Sequence, residues 1–327
     1  MNINALKNLN KDWERDFPCI LVGALVFAFS YVGAWFYTTG DQAGYSSAYE
    51  AVAGLEFFSA RDLYTSRITS FDMLHFFLVW LASSAGVSKI VLMSFLNGAL
   101  ATYSVRLFQI WGANFGIASM IVLTNFYMFV LYLAAERLKL GFLFLVLSFL
   151  YIERIRFALT FLCLAVLSHY SLLLFGLSVW CQRIFTQVDY WKSRTSQIFL
   201  LLVLLIAALP LYLFGLPQLL HKATGYLQPM NTFVIRDFMP ITILFCFSVY
   251  YNRRVWLIVL MYLPMAIAFC LFGGSRINML AYFLFLSLCL HVRQGLNFGV
   301  LVTSAYLAYK SFVFCTNIYL YGNGFSS

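Results

Sequence analysis

PCILVGALVFAFSYVGAWFY, residues 18–37, runs for twenty positions without an Asp, Glu, Lys or Arg. About twenty apolar residues suffice to cross a bilayer core as a helix. The stretch lacks the in–out alternation of a barrel strand, and a helix satisfies its own backbone polar groups, which is the condition for lying in lipid. Apolar runs of the same kind recur at 90–110, 157–180 and 255–272. The rest of the chain agrees. Of 327 residues, 63% are hydrophobic, 19% aromatic and 10% charged. A soluble chain carries about 25% charged residues, so an ordinary soluble enzyme, a disordered regulator and a fibrous protein are all excluded.

The apolar segments predict helices near 18–37, 71–88, 90–110, 115–133, 140–152, 157–180, 198–216, 240–251, 255–272, 277–292 and 297–320. Several are shorter than a crossing, as tilted, re-entrant or broken helices are. The expectation is an all-α polytopic integral membrane protein of about ten transmembrane helices, some short or re-entrant. It forms one transmembrane domain over residues 1–327. The net charge of +9 sits in short clusters between the apolar runs, such as Arg154/Arg156, Arg253/Arg254 and Arg293. That is the bias that sets membrane orientation, and nucleic acid is not the expected partner. With Lys7, Lys11 and Arg15 cytoplasmic, residues 38–70 become an outer (periplasmic) loop and 217–239 a second one. The seven cysteines are scattered with no CxxC pair, which reads as packing rather than ligation. No cleavable signal is evident.

Polar groups within or beside spans are expensive and are functional candidates for that reason. Asp41, Tyr45 and Tyr49 are spaced i, i+4, i+8 and share one face if helical. A carboxylate in line with phenols suits sugar hydroxyls, although a helix cap with interfacial aromatics has the same pattern. Arg137, in Glu136-Arg137-Leu138-Lys139, carries a fork of donors that fits a phosphate, or else marks a membrane boundary. His169, in Ser168-His169-Tyr170-Ser171, falls roughly 17 Å from either end of a continuous 157–180 helix at 1.5 Å per residue. An imidazole there faces a polar cavity, a helix break or a partner helix. Arg276 follows Gly273-Gly274-Ser275 at a helix start, where an anion is favoured. Eight of the twelve acids precede Met73, and Asp41 and Asp72 are too far apart in sequence to suggest a metal site. No phosphate-loop, dinucleotide or zinc motif is present.

Taken in order, these segments resemble the EpsG/Wzy family of membrane polysaccharide polymerases. The likeness rests on Asp-x-x-x-Tyr-x-x-x-Tyr after the first span, the Glu136-Arg137 helix start and the basic step Glu153-Arg154-Ile155-Arg156. It continues through an apolar run ending in His169-Tyr170-Ser171 and a late helix opened by Arg276-Ile277. One departure is Leu138, where relatives often have Gln.

The resemblance implies an architecture similar to GT-C membrane glycosyltransferases and a place in the bacterial inner membrane. There, a growing O-antigen or exopolysaccharide glycan passes from undecaprenyl diphosphate to the non-reducing end of a new lipid-linked unit at the periplasmic face. Under that implication Arg137 and Arg276 hold the diphosphate, with Arg67 and Arg236 behind them. His169 is the first choice of base and Asp41 the second, while Tyr45, Tyr49 and Tyr64 meet the sugars. Neither metal nor cofactor is expected. The partners are the undecaprenyl-diphosphate-linked oligosaccharide, membrane lipid and, as a candidate, a chain-length regulator. Two other classes share many of these features: a different polyprenyl-dependent transferase or ligase, and a flippase or transporter.

Overall fold

The computed structural model describes residues 13–68, 72–169, 172, 176, 235–272 and 274–325, with backbone alone at 13–15, 235–237, 267–268, 270–272 and 274–276. Every regular element among them is helical. In chain order these are α1 (Trp13–Phe36), α2 (Asp41–Ala51), α3 (Phe57–Ile68), α4 (Met73–Ser84), α5 (Lys89–Ile110), α6 (Phe115–Thr124) and α7 (Phe126–Ala134). They continue with α8 (Glu136–Leu150), α9 (Ile155–Ser168), α10 (Ile235–Tyr251), α11 (Val255–Phe272), α12 (Gly274–Cys289) and α13 (Phe298–Tyr321).

Three segments are long and apolar enough to cross a membrane: Asp16–Phe36, Lys89–Ile110 and Val292–Tyr321. A fourth arises if α6 and α7, bent by 54° at Asn125, count as one broken span. The chain is thus a helical protein with membrane-spanning character, while the expectation of about ten full crossings exceeds the long helices found among the described residues. The 71–88 segment is a 12-residue helix, about 18 Å long and too short to span. Residues 38–70, expected as a loop, contain α2 and α3. The 198–216 helix and most of the 217–239 loop lie outside the described residues.

Packing starts from α1 against α5, the most extensive helix contact among the described residues. Two glycines face each other there: a Cβ on Gly23 would meet the Gly98 carbonyl at 2.7 Å, and one on Gly98 would meet the Gly23 carbonyl at 2.9 Å. Small residues let backbones approach where lipid offers no hydrophobic force to press helices together. A large core joins α1, α5–α9 and α10–α13, and a smaller cluster built on Ala48, Tyr49, Ala60, Tyr64, Phe76 and Met93 ties α2–α4 to the start of α5.

The α6–α7 break sets up the site. The Asn125 side chain accepts from the Tyr127 amide at 2.9 Å and caps the new helix. Ser311 on α13 donates to the Thr124 carbonyl at 2.6 Å, so the polar groups released by the bend are satisfied inside the protein. The last five residues of α7, Val130–Ala134, form a π-helical turn, a feature frequent at functional sites. Its carbonyls are met from two other helices. Asn97 on α5 donates to Tyr132 at 2.8 Å, and Gln42 on α2 donates to Leu133 at 2.7 Å. Two residues later α8 begins, with its charged end already fixed against α2 and α5.

Candidate functional site

Three helix ends meet around one buried carboxylate: the starts of α4 and α8 and the end of α9. Asp72 is the residue before α4 and is 4% exposed. Its Oδ2 accepts from Arg137 Nη1 at 2.8 Å, and its Oδ1 lies 3.6 Å from His169 Nδ1. Arg137, in the first turn of α8, also donates through Nε to the Tyr45 hydroxyl on α2 at 3.2 Å. Burial opposes the charge on Asp72, but His169 and Arg137 outweigh it and hold the carboxyl below its usual range. Asp72 is therefore ionised at neutral pH.

A second ion pair adjoins the first. Lys89, the first residue of α5, contacts Glu136 Oε1 at 3.0 Å and donates to Gln42 Oε1 at 3.0 Å and Ser46 Oγ at 2.9 Å. The Tyr45 ring stands between the two cations, its centroid 5.9 Å from Lys89 Nζ and 5.9 Å from Arg137 Cζ. Such contacts contribute about 0.5–2 kcal/mol each, depending on desolvation. Lys139, one turn into α8, is 1% exposed and interacts electrostatically with Glu136 and Lys89. Among the described residues, Asp72 and Glu136 thus meet Lys89, Arg137 and Lys139, an excess of one cation. The N-termini of α4, α5 and α8 converge on the same place, and each adds roughly half a positive charge. The local field favours an anion.

Beneath the Asp72 pair, the Tyr64 hydroxyl and His75 Nδ1 are 2.7 Å apart, both residues being buried. Burial pushes the Tyr64 phenol well above its ordinary range, so it keeps its proton and donates to Nδ1. The imidazole proton then sits on Nε2, which is buried without a hydrogen-bond partner among the described residues. The opposite tautomer strands a phenolic proton as well as a ring lone pair, and unmet buried groups cost about 1–3 kcal/mol each.

His169 deviates from the continuous 157–180 helix expected of the sequence. The helix α9 stops at Ser168, and His169 follows with an extended backbone at φ −162°, ψ 113°. The break explains how an imidazole is tolerated in an apolar run: its side chain faces Asp72 rather than lipid. Tyr170 and Ser171 lie outside the described residues.

The remaining sequence candidates divide. Tyr45, Tyr49 and Tyr64 are all buried, at 8%, 7% and 0% exposed. Their hydroxyls are engaged by Arg137, the Val87 carbonyl and His75. These contacts tie the three tyrosines to the helices around the site. Asp41 is the first residue of α2 and is exposed, while Gln42 and Tyr45 on the same helix are buried. Arg67 is exposed on α3 and donates to Ser47 of α2. Arg276 and Arg236 fall on the backbone of α12 and α10, and their side chains lie outside the described residues. The described residues hold no His/Cys/Asp/Glu group able to bind a metal.

Sequence reasoning assigned no role to Asp72, His75, Lys89, Gln42, Glu136 or Lys139. The available signal was an acid directly ahead of an apolar segment at Asp72, and charges flanked by apolar residues at Lys89 and Lys139. Comparison with protein-family profiles, curated proteins and solved structures finds no match to this chain.

Proposed function

We propose that the protein is a membrane glycosyltransferase that polymerises oligosaccharide repeat units carried on undecaprenyl diphosphate. In this reading it lies in the bacterial inner membrane with its site toward the periplasm, and the shorter apolar helices α4 and α9–α12 lie in the membrane beside the long ones in a GT-C-like arrangement. The observation that carries the proposal is the meeting of Arg137, Asp72 and His169 where three helix N-termini converge. Glycosyl transfer from a lipid diphosphate needs two things. One is positive potential for a leaving group that gains charge, most effective when pre-placed away from water; the other is a base for the acceptor hydroxyl, worth typically 10²–10⁴-fold in rate. The cation excess and the helix ends supply the first, and His169 supplies the second. The resemblance to the EpsG/Wzy family selects this reaction among those that need the same two elements.

In the proposed step the acceptor oxygen attacks the anomeric carbon as its proton moves to His169. The bond from that carbon to the phosphate oxygen breaks, and undecaprenyl diphosphate leaves. Arg137 donates to both Asp72 and Tyr45, so the guanidinium is fixed in place. The resemblance adds Arg276 as a second cation toward the diphosphate. The test is the purified protein in lipid nanodiscs with lipid-linked repeat units as sole substrate. Chain lengthening is expected with the unmodified protein and is expected to fall at least 100-fold in His169→Ala, with normal insertion. Lack of lengthening with authentic repeat units from the source glycan would refute the proposal, and full activity in His169→Ala would remove the base.

A further inference from the structure

We infer that Asp72 is a positioning residue that fixes the tautomer and direction of the His169 imidazole, and so determines which ring nitrogen acts as the base. The inference rests on the reading of His169 given above. Its geometric ground is that one carboxylate addresses two functional side chains through different oxygens: Oδ2 to Arg137 at 2.8 Å and Oδ1 to His169 Nδ1 at 3.6 Å. A carboxylate is an acceptor only, so the nitrogen facing it carries a hydrogen in the favoured arrangement. That leaves the lone pair on Nε2. The ionised state of Asp72 is secured by Arg137, which supplies the compensating charge a buried carboxylate requires. At 3.6 Å the histidine contact exceeds hydrogen-bond length, and catalytic contacts of this kind tighten when substrate is bound.

Three further details favour positioning over simple ion pairing. Arg137 meets Asp72 through the other oxygen and at the shorter distance, 2.8 Å against 3.6 Å, so the carboxylate has a close partner of fixed charge besides the ring. His169 has left helical geometry at the residue where its ring meets Asp72. And Asp72 is held in place by its own backbone, its carbonyl accepting from the Phe76 amide at 2.9 Å in the first turn of α4. During transfer the acceptor proton arrives on Nε2 and the imidazolium is stabilised by Asp72, which stays ionised. This is the division of labour in carboxylate–histidine dyads, where the carboxylate orients the ring without taking the proton.

Nitrogen NMR of ¹⁵N-histidine-labelled full-length protein in nanodiscs reads the tautomer directly, with His169→Gln assigning the signal. The unmodified protein is expected to hold His169 as the Nδ1–H tautomer, and Asp72→Asn to redistribute the proton between the nitrogens. Kinetically, Asp72→Asn is expected to lower kcat at least 30-fold with less than a threefold change in acceptor KM, and Asp72→Glu to restore part of it. An Nε2–H tautomer in the unmodified protein, or an unchanged tautomer in Asp72→Asn, overturns the inference. If Asp72→Asn does not fold, the unmodified spectrum and Asp72→Glu still decide it. The spectrum needs no substrate: a coupled tautomer in a protein that lengthens no glycan refutes the proposed function alone, and an active protein with an uncoupled tautomer refutes the positioning alone.

Discussion

Replacing Arg137 with Met keeps an unbranched apolar stem and removes the guanidinium whose charge faces Asp72. The pair is largely sealed, with side chains 15% and 5% exposed and a contact of 2.8 Å. With charge centres about 4 Å apart, an effective dielectric of 20 gives an attraction of about 4 kcal/mol. That is not the net contribution, because bringing both charges out of water opposes it. Removing one partner, however, leaves the full penalty on the other, and such losses are typically about 3–5 kcal/mol. Arg137→Met is therefore expected to destabilise the fold by about 3–5 kcal/mol. Asp72→Asn added to it should recover about 2–3 kcal/mol, since the stranded charge is gone while the Tyr45 contact remains broken. Reversible unfolding in mixed micelles over the four-member double-mutant cycle measures both terms. A single variant within about 0.5 kcal/mol of the unmodified protein, or strictly additive effects, would refute the buried-pair reasoning.

The neighbouring pair predicts an asymmetry. Glu136→Gln strands Lys89 beside Lys139 and is expected to destabilise more than Lys89→Met, after which Lys139 still attends Glu136; the same unfolding assay with the reverse order would contradict the assigned neighbours. Gly23→Val drives a branched side chain toward the Gly98 carbonyl and the Thr102 hydroxyl, and is expected to cost about 1–3 kcal/mol by overpacking, whereas stability equal to the unmodified protein would mean that α1 and α5 pack less closely. At the turn before α13, Arg293 and Gln294 both adopt left-handed backbone angles, φ 50° and 56°. A non-glycine residue there costs about 1–2 kcal/mol, so Gln294→Gly should gain about 0.5–1 kcal/mol after glycine's greater unfolded-state entropy, and a loss on unfolding measurements would show that the Gln294 side chain contributes more than its backbone strain removes.

The helical membrane class was legible because twenty uncharged residues and a charge-poor composition constrain the backbone regardless of packing. So were the positions of α1, α5 and α13, whose apolar runs match the observed helices closely. Other boundaries were not legible, for identifiable reasons. At the bend, the Thr124 carbonyl is met by Ser311, 187 positions later in the chain, and hydropathy contains no information about such a partner. The end of α9 at Ser168 also looks like helix to a composition window, since Leu, Phe and Gly continue beyond it. At the site, residues 38–70 were expected as a loop, so the helix α2 was read only as a condition on the Asp41, Tyr45 and Tyr49 spacing; the structure makes that helix and buries Tyr45 and Tyr49, together with Gln42, while Asp41 is exposed. Asp72 stayed hidden because its significance lies in two partners, 65 and 97 residues away, rather than in a local motif.

The placement of cations in the site runs against local helix electrostatics. Acids are favoured in a first turn and bases in a last one, and Asp72 and Glu136 obey that rule at the starts of α4 and α8. Lys89 and Arg137 break it, being the first residue of α5 and the second of α8. For stability alone, an apolar residue at either position avoids both desolvation and the unfavourable end of the dipole. Each cation is instead held by a carboxylate and by acceptors from α2, which maintains a region of positive potential that the helices left to themselves would not tolerate at so low an exposure. Departures from local preference that are compensated at a distance concentrate at functional sites. Among the described residues the compensation is also incomplete, since Lys139 leaves one positive charge over. A structural ion-pair network gains by closing on neutrality. Among the described residues this network closes one negative charge short of neutrality where three helix ends add to the same sign, and it is on that imbalance that the proposed diphosphate site rests.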